Sequence, residues 1–324
     1  MYNACIVGLG AISPMHINSI EKSKNATLYA VCDNNPEKLK KFLDSDSLVC
    51  YDDFDDVIND DNIDSVHICT PHFLHYEMVV KALKAGKKVV CEKPVTMTRE
   101  EYNKLIQLEE QKDVCIILQN RYNPCTQKLK EIVENKTYGD VLGSKAIVTW
   151  KRDKAYYESE PWRGLYKTEG GGALINQFVH TLDYFSYLIS DVESVKAKTA
   201  NFSLENVIEV EDTVCAYLRL KNNTTGVFFV TNAHVVSSPP EFEIVFENAT
   251  VRYSDNCLFV DGLVIERDHV ATGEKAYWGL SHATLVSNYY DNGISFCPKD
   301  IKNTMETMFS IYESANLNGK EIVL

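Results

Sequence analysis

The chain has 324 residues, 45% of them apolar and 24% charged, enough for about two domains that each bury a core. Its 46 acidic residues outnumber 33 basic ones, and the net charge of -13 repels phosphate backbones, which argues against nucleic acid as a ligand. No apolar run approaches the roughly 20 residues that span a bilayer. Residues 1–8 read as a strand with no basic leader, so a cytoplasmic protein with no membrane partner is expected.

Up to about residue 122, apolar β-branched runs at 4–7, 28–32, 65–69, 88–91 and 114–118 alternate with helix signals. Asn35 and Pro36 cap and open a helix over 37–43, and a second, over 73–85, stops at Gly86. Thr98 and Glu101 form a capping box for a helix running to about residue 111. This rhythm predicts a doubly wound parallel sheet over residues 1–122.

After a helix over 124–134 the rhythm changes. Strands are expected at 143–151, 213–220, 225–232, 242–246, 250–253 and 257–260, with helices at 176–188 and 300–316. Residues 123–324 therefore read as one α+β domain, a largely antiparallel open sheet with helices on one face. Its last helix is a candidate to pack back toward the first domain, and the other sheet face is solvated or a subunit interface. The ten cysteines are scattered with no CxxC pair, and Cys5, Cys32, Cys69, Cys91 and Cys115 lie in the β runs as small hydrophobes. Neither a disulfide framework nor a metal site is expected.

The first run ends in Gly8-Leu9-Gly10-Ala11-Ile12-Ser13, a glycine turn between strand and helix. There the first glycine permits the turn and the second lets a pyrophosphate approach the helix N-terminus. Gly8, Gly10, Ala11 and Ile12 are thus cofactor candidates, with Ser13 in place of the third glycine. Asp33 ends the second strand, where a carboxylate binds an adenosine ribose and repels a 2′-phosphate, favouring NAD over NADP. Its alternative is a turn or cap residue.

Cys69-Thr70-Pro71-His72, His75 and Cys91-Glu92-Lys93-Pro94 stand at or just beyond strand C-termini, where open α/β sheets bind ligands. With Gly170-Gly171-Gly172 and the spacing Asn176-x-x-x-His180-x-x-Asp183, the chain resembles the Gfo/Idh/MocA family of glucose-fructose oxidoreductase and inositol dehydrogenase relatives. The resemblance runs nearly end to end, through 138–143 to 311–314. It implies a nicotinamide enzyme acting on a sugar or cyclic polyol, assembled as a homodimer or homotetramer. It implies Lys93 at the nicotinamide ribose and reacting hydroxyl, Glu92 at the ribose, and His180 as general acid/base. Thr70, Pro71, His75 and Gln119 would surround the cofactor, and Trp162-Arg163 would lie beside the nicotinamide. Arg121, Trp162, Asn176, Asp183 and His282 are the substrate-binding candidates. Many members carry Asp where this chain has Asn176, which moves the proton role onto His180; members with Asn there include enzymes of amino-sugar nucleotides.

The chemistry also stands on the residues. Hydride transfer from an alcohol carbon needs a base for the hydroxyl proton and a cation for the developing alkoxide, and a histidine and a lysine supply them. A helix would stack Asn176, His180 and Asp183 on one face, with Asp183 orienting His180 or touching substrate. Plainer readings stand beside these: a flexible loop at 170–172, surface roles for His72, His75 and His282, and packing for His16. The acidic run 52–56, Trp150, Tyr156, Tyr157, Trp278 and the last helix read as solvated face or core. Two further functions share the fold: a glycosidase using tightly held NAD for transient oxidation and elimination, and a non-catalytic nicotinamide or sugar binder that regulates other proteins.

Overall fold

The computed structural model describes residues 1–43, 48–269, 281–293 and 296–324; Trp278 lies outside them. The chain divides into two compact units, Met1–Gln119 with Ser281–Ile301, and Asn120–Leu280 with Lys302–Leu324.

In the first unit β1 (Tyr2–Val7), β2 (Ala26–Cys32), β3 (Val49–Tyr51), β4 (Ser65–Ile68), β5 (Lys88–Cys91) and β6 (Val114–Ile116) form one parallel sheet. Its order is β3-β2-β1-β4-β5-β6, so the winding reverses between β1 and β4, where dinucleotides bind such sheets. The interior is the continuous apolar strand material expected of a sheet covered on both faces; Ala4, Cys5, Ile6, Val66, Ile68, Val89 and Val90 have no exposed surface. Asn35 and Thr98 cap their helices as expected, the latter as a full capping box with Glu101. That helix stops at Leu105 rather than near residue 111, and a 3-10 turn over Glu109–Asp113 carries the chain into β6.

The first unit also takes a late segment that a continuous second domain over 123–324 had assigned elsewhere. The helix Ser281–Asn292 lies there because its aromatic residues have partners in the parallel sheet. Tyr289 donates to Asp113 O at 2.6 Å, Tyr290 meets Ser65 and His67, and Ile116 N donates to Phe296 O at 3.0 Å beyond the end of the helix.

The second unit builds a sheet from β7 (Val141–Thr149), β8 (Val192–Ala200), β9 (Thr213–Leu220), β10 (Thr225–Thr231), β11 (Glu241–Phe246), β12 (Thr250–Ser254), β13 (Cys257–Val260), β14 (Leu263–Arg267) and β15 (Ile322–Val323). The order is β14-β13-β12-β11-β7-β10-β9-β8-β15, antiparallel except for the β7–β10 pair. One face is buried under aromatic packing, with Phe185 against Phe228 and Phe242, and Gly226 leaves the space that the Phe185 ring fills. The last helix, Lys302–Asn316, belongs to this unit. Asn303 exchanges two hydrogen bonds with the backbone of Val192, and Ser314 Oγ accepts from Ala197 N at 2.9 Å, so the helix is fastened along β8.

Candidate functional site

Gly8 needs its glycine for two reasons. Its φ is +93°, and a Cβ there would stand 2.8 Å from the Cys69 carbonyl, so the turn after β1 lies directly on the end of β4. Gly10 differs: a Cβ there would face open space, the side from which a pyrophosphate can approach. The helix Ser13–Lys22 begins after Ile12 without a side-chain cap. Ser13 fills the third glycine position without strain, fully buried with its hydroxyl donating to Gly10 O at 2.9 Å. Asp33 accepts from Leu9 N at 2.7 Å and from Asn35 N at 2.9 Å, so it braces the glycine turn as well as ending β2. Gln119 Oε1 is buried with no hydrogen-bond partner among the described residues. An open glycine turn, an uncapped helix start and an orphaned acceptor fit a dinucleotide.

The loops after β4 and β5 are tied together from below. His75 is 1% exposed, and its ring nitrogens lie 2.7 Å from Thr70 O and 2.7 Å from Pro94 O. It thus joins the Thr70 and Lys93 loops, and with His72 also buried, neither is a surface residue. Glu92 is buried and Lys93 half-buried. Burial alone would push the Glu92 carboxyl up, but His16, Lys93 and His282 outweigh it and hold it at about 2. Glu92 Oε1 lies 3.1 Å from His16 Nε2 and 3.9 Å from His282 Nε2, and Oε2 accepts from Lys93 N at 3.3 Å. His282, expected at the substrate, is thus a neighbour of Glu92 within the first unit.

In the second unit the three glycines are not a flexible loop. A Cβ on Gly172 would collide with the Glu211 carbonyl, and one on Gly171 with the Tyr312 hydroxyl. Glu211 accepts from Gly172 N at 2.8 Å, Leu174 N at 3.0 Å and Tyr312 OH at 2.9 Å, holding the turn rigidly. The following segment is not one regular helix: π turns over Leu174–Phe178 and Phe185–Ile189 flank the α-helix Val179–Tyr184. Such widened turns change which residues share a face, and they recur at functional sites.

Asn176 and His180 are half-exposed, whereas Asp183 is 1% exposed and turned inward. Arg121 meets it in a bidentate pair, Nε to Oδ2 at 2.7 Å and Nη2 to Oδ1 at 2.6 Å, and Thr304 Oγ1 donates to Oδ1 at 2.6 Å. Arg121 and Asp183, both candidates for substrate, are therefore each other's partners, joining three segments of the unit.

Asn176 Nδ2 donates to Glu169 Oε1 at 2.5 Å, and Gly164 N donates to Oε2 at 2.5 Å. A carboxylate only accepts, so Asn176 turns its carbonyl oxygen away from Glu169. Burial pushes the Glu169 carboxyl up to about 7. Arg163 donates to Tyr156 O and Ser159 Oγ, fastening its own loop, and Trp162 is half-buried next to it. Sequence reasoning missed a polar group near these residues. Gln177 donates to Tyr156 OH, and Asn232 donates to Gln177 and to Tyr157 OH. Adjacent tyrosines in sequence carry no signal of it.

A parallel sheet of this order, with its open glycine turn, defines a dinucleotide-binding protein, and the oxidoreductase class follows from the comparisons. Residues 2–120 match the oxidoreductase family with an NAD-binding Rossmann fold, and residues 126–252 match the GFO/IDH/MocA C-terminal domain. The chain belongs to this family of NAD-binding oxidoreductases. It is 26% identical over 305 residues to myo-inositol 2-dehydrogenase of Thermotoga maritima, covering 92% of this chain and 86% of that protein. It is also 26% identical to the oxidoreductase YrbE of Bacillus subtilis, covering 70% of this chain and 66% of that protein. The structure of the WlbA dehydrogenase from Bordetella pertussis, in complex with NADH and UDP-GlcNAcA, superposes with a TM-score of 0.85 at 27% identity, covering 100% of this chain and 98% of that one. These names favour a dehydrogenase over the glycosidase and regulator alternatives.

Two expectations follow. Asp183→Ala leaves the buried Arg121 guanidinium unmatched and should cost about 3–5 kcal/mol in urea denaturation; a cost under about 1 kcal/mol with turnover lost would return Asp183 to the substrate. For Glu169, the folded chain holds a proton between its ordinary 4.5 and about 7 that the unfolded chain has released. Stability should therefore fall as pH rises through that window. Thermal unfolding across it should show this slope flattened in Glu169→Gln; an unchanged slope would assign the titration to another group.

Proposed function

We propose that the protein transfers a hydride between NAD and a hydroxyl-bearing carbon of a sugar, inositol or sugar-nucleotide. The observation that carries this reading is Lys93, half-buried beside the ionised Glu92 at the C-terminal end of β5. It stands at the same sheet edge as the open Gly8–Gly10 turn. Bound NAD would give or take the hydride, lodged along Gly8, Gly10, Ala11, Ile12, Thr70, Pro71 and Gln119. The Lys93 ammonium stabilises negative charge on the substrate oxygen, and His180 gives or takes its proton. Asn176 positions a hydroxyl by accepting its hydrogen bond, and Trp162 offers an apolar surface to the sugar ring or nicotinamide.

Asp33 supports NAD over NADP because its carboxylate repels a 2′-phosphate, although Lys38 Nζ stands 3.7 Å from it. Asn176 and the sugar nucleotide bound by the Bordetella relative favour the sugar-nucleotide class. With no helix among the described residues long and apolar enough to cross a membrane, the reading keeps the cytoplasm as location. Among the described residues the other sheet face exposes the cross-strand pair Tyr217 and Val227, with Ile147 and Val245 on the neighbouring strands, and we read it as the surface where a second copy packs.

An absorbance assay for reduced nicotinamide, with NAD and NADP against polyols, sugars and sugar-nucleotides, tests the reaction. Lys93→Met and His180→Asn should each lower turnover by about 10²–10⁴ with unfolding midpoints unchanged; unchanged turnover in both would sink the assignment. Light scattering tests the assembly. The wild type should have the mass of a dimer or tetramer and Tyr217→Lys with Val227→Lys that of a monomer, whereas a monomeric wild type would discard the packing surface.

A further inference from the structure

Behind Glu92 lies a chain of polar groups that the reaction as proposed does not use. His16 Nε2 lies 3.1 Å from Glu92 Oε1, and His16 Nδ1 lies 2.8 Å from His67 Nδ1. His67 Nε2 is 2.8 Å from Tyr290 OH, which is 2.5 Å from Ser65 Oγ. None of the five residues exceeds 8% exposure. They come from the helix after the glycine turn, from β4, from the loop after β5 and from the late helix Ser281–Asn292, all within the first unit.

The bonding rules leave this chain two satisfied states. Ionised Glu92 only accepts, so His16 Nε2 carries a proton and donates to it. Two ring nitrogens 2.8 Å apart need one proton between them, neither none nor two. Burial, and after it His16, push His67 well below the ordinary histidine range, so it carries one N–H. Burial pushes the Tyr290 phenol up, so it keeps its proton. If His16 is neutral, His67 donates from Nδ1 to His16, Tyr290 donates to His67 Nε2, and Ser65 donates to Tyr290. If His16 is an imidazolium, it donates from Nδ1, His67 donates from Nε2 to Tyr290, and Tyr290 donates to Ser65. The second state holds one more proton, taken from solvent; every bond from His16 to Ser65 points the other way, while His16 Nε2 donates to Glu92 in both.

We propose that Ser65, Tyr290, His67 and His16 form a buried relay that positions Glu92 and sets the charge beside Lys93, its hydrogen bonds reversing together when His16 takes up a proton. The inference rests on the dehydrogenase reading for its purpose, since Glu92 and Lys93 are there assigned to the cofactor side. Facing the relay, His282 and Lys93 lie beside Glu92, with His75, Cys69 and Cys91 within its field, and the His282 ring is 6.2 Å from that of His16. At the other end Tyr2 and Tyr289 stand against the Tyr290 ring, with Cys115 and Asp64 in its field. His16, His67, Tyr290 and Ser65 are positioning residues; none is assigned to the reacting atoms.

Full-length protein carrying ¹⁵N-labelled histidine reports each ring's tautomer by long-range ¹⁵N–¹H correlation. As pH is lowered, His67 should change from the Nδ1–H to the Nε2–H tautomer without gaining charge. A His67 that keeps one tautomer throughout overturns the relay. NADH affinity, followed by fluorescence, should change by about threefold or more across the same tautomer change; an affinity flat through it overturns the claim that the relay sets the charge beside Lys93. Wild type that swaps tautomers yet binds no NADH would overturn the dehydrogenase reading and leave the relay itself standing.

Discussion

A carboxylate taken out of water must be met by donors or it destabilises the fold by several kcal/mol. The chain uses that demand to place its loops. Asp33 collects the amides of Leu9 and Asn35 and so fixes the glycine turn. Glu211 gathers the amides of Gly172 and Leu174 with the Tyr312 hydroxyl, fixing the second glycine turn. Asp183 takes Arg121 and Thr304, pinning the entry to the second unit and its last helix around the helix that carries His180. In each case a long-range ionic or hydrogen-bonded contact sets a backbone path, and the residues assigned to chemistry sit on the paths so fixed.

Close backbone approach does the complementary work. Gly8 is pressed on the end of β4, and Gly171 and Gly172 are pressed on Tyr312 and Glu211, so these glycines let two segments touch. Gly10 stands among them with open space at its Cβ position. That contrast is informative, because a glycine that packs on protein and one that faces space are indistinguishable in sequence. It separates the positions that shape the scaffold from the one that leaves room for a ligand.

Much of the architecture was legible because it is local. The apolar runs found β1, β2, β4, β5 and β6, Thr98 and Glu101 announced their capping box, and the helix Pro124–Glu134 falls where its proline places it. What escaped is set by tertiary context. β8 reads VESVKAKTA, rich in Lys, Ala and Glu with weak strand preference, and becomes a strand because β9 and the last helix flank it. β3 has three residues, too few for a pattern, and the exposed edge strand β14 has no buried face to alternate with. The π turn over Leu174–Phe178 breaks the four-residue spacing that seemed to stack Asn176 with His180, while His180 and Asp183 share the regular α-helix Val179–Tyr184. Arg121 and Asp183, 62 positions apart, could not be paired from sequence, and neither could His16 with His67.

The two carboxylates nearest the proposed chemistry show how one residue type takes two characters. Burial raises both Glu92 and Glu169, yet Glu92 is held at about 2 and Glu169 rises to about 7. The difference lies in what meets them. Glu92 faces His16, His282 and the Lys93 loop, groups that carry or can carry positive charge. Glu169 is met by the neutral amides of Asn176 and Gly164, which stabilise an anion less, with Arg163 only a minor contributor to its field. One is thereby a fixed charge beside the lysine, and the other a group that titrates near neutrality beside Asn176. Environments that push two like groups apart in this way are how a single fold supplies both a permanent charge and an exchangeable proton.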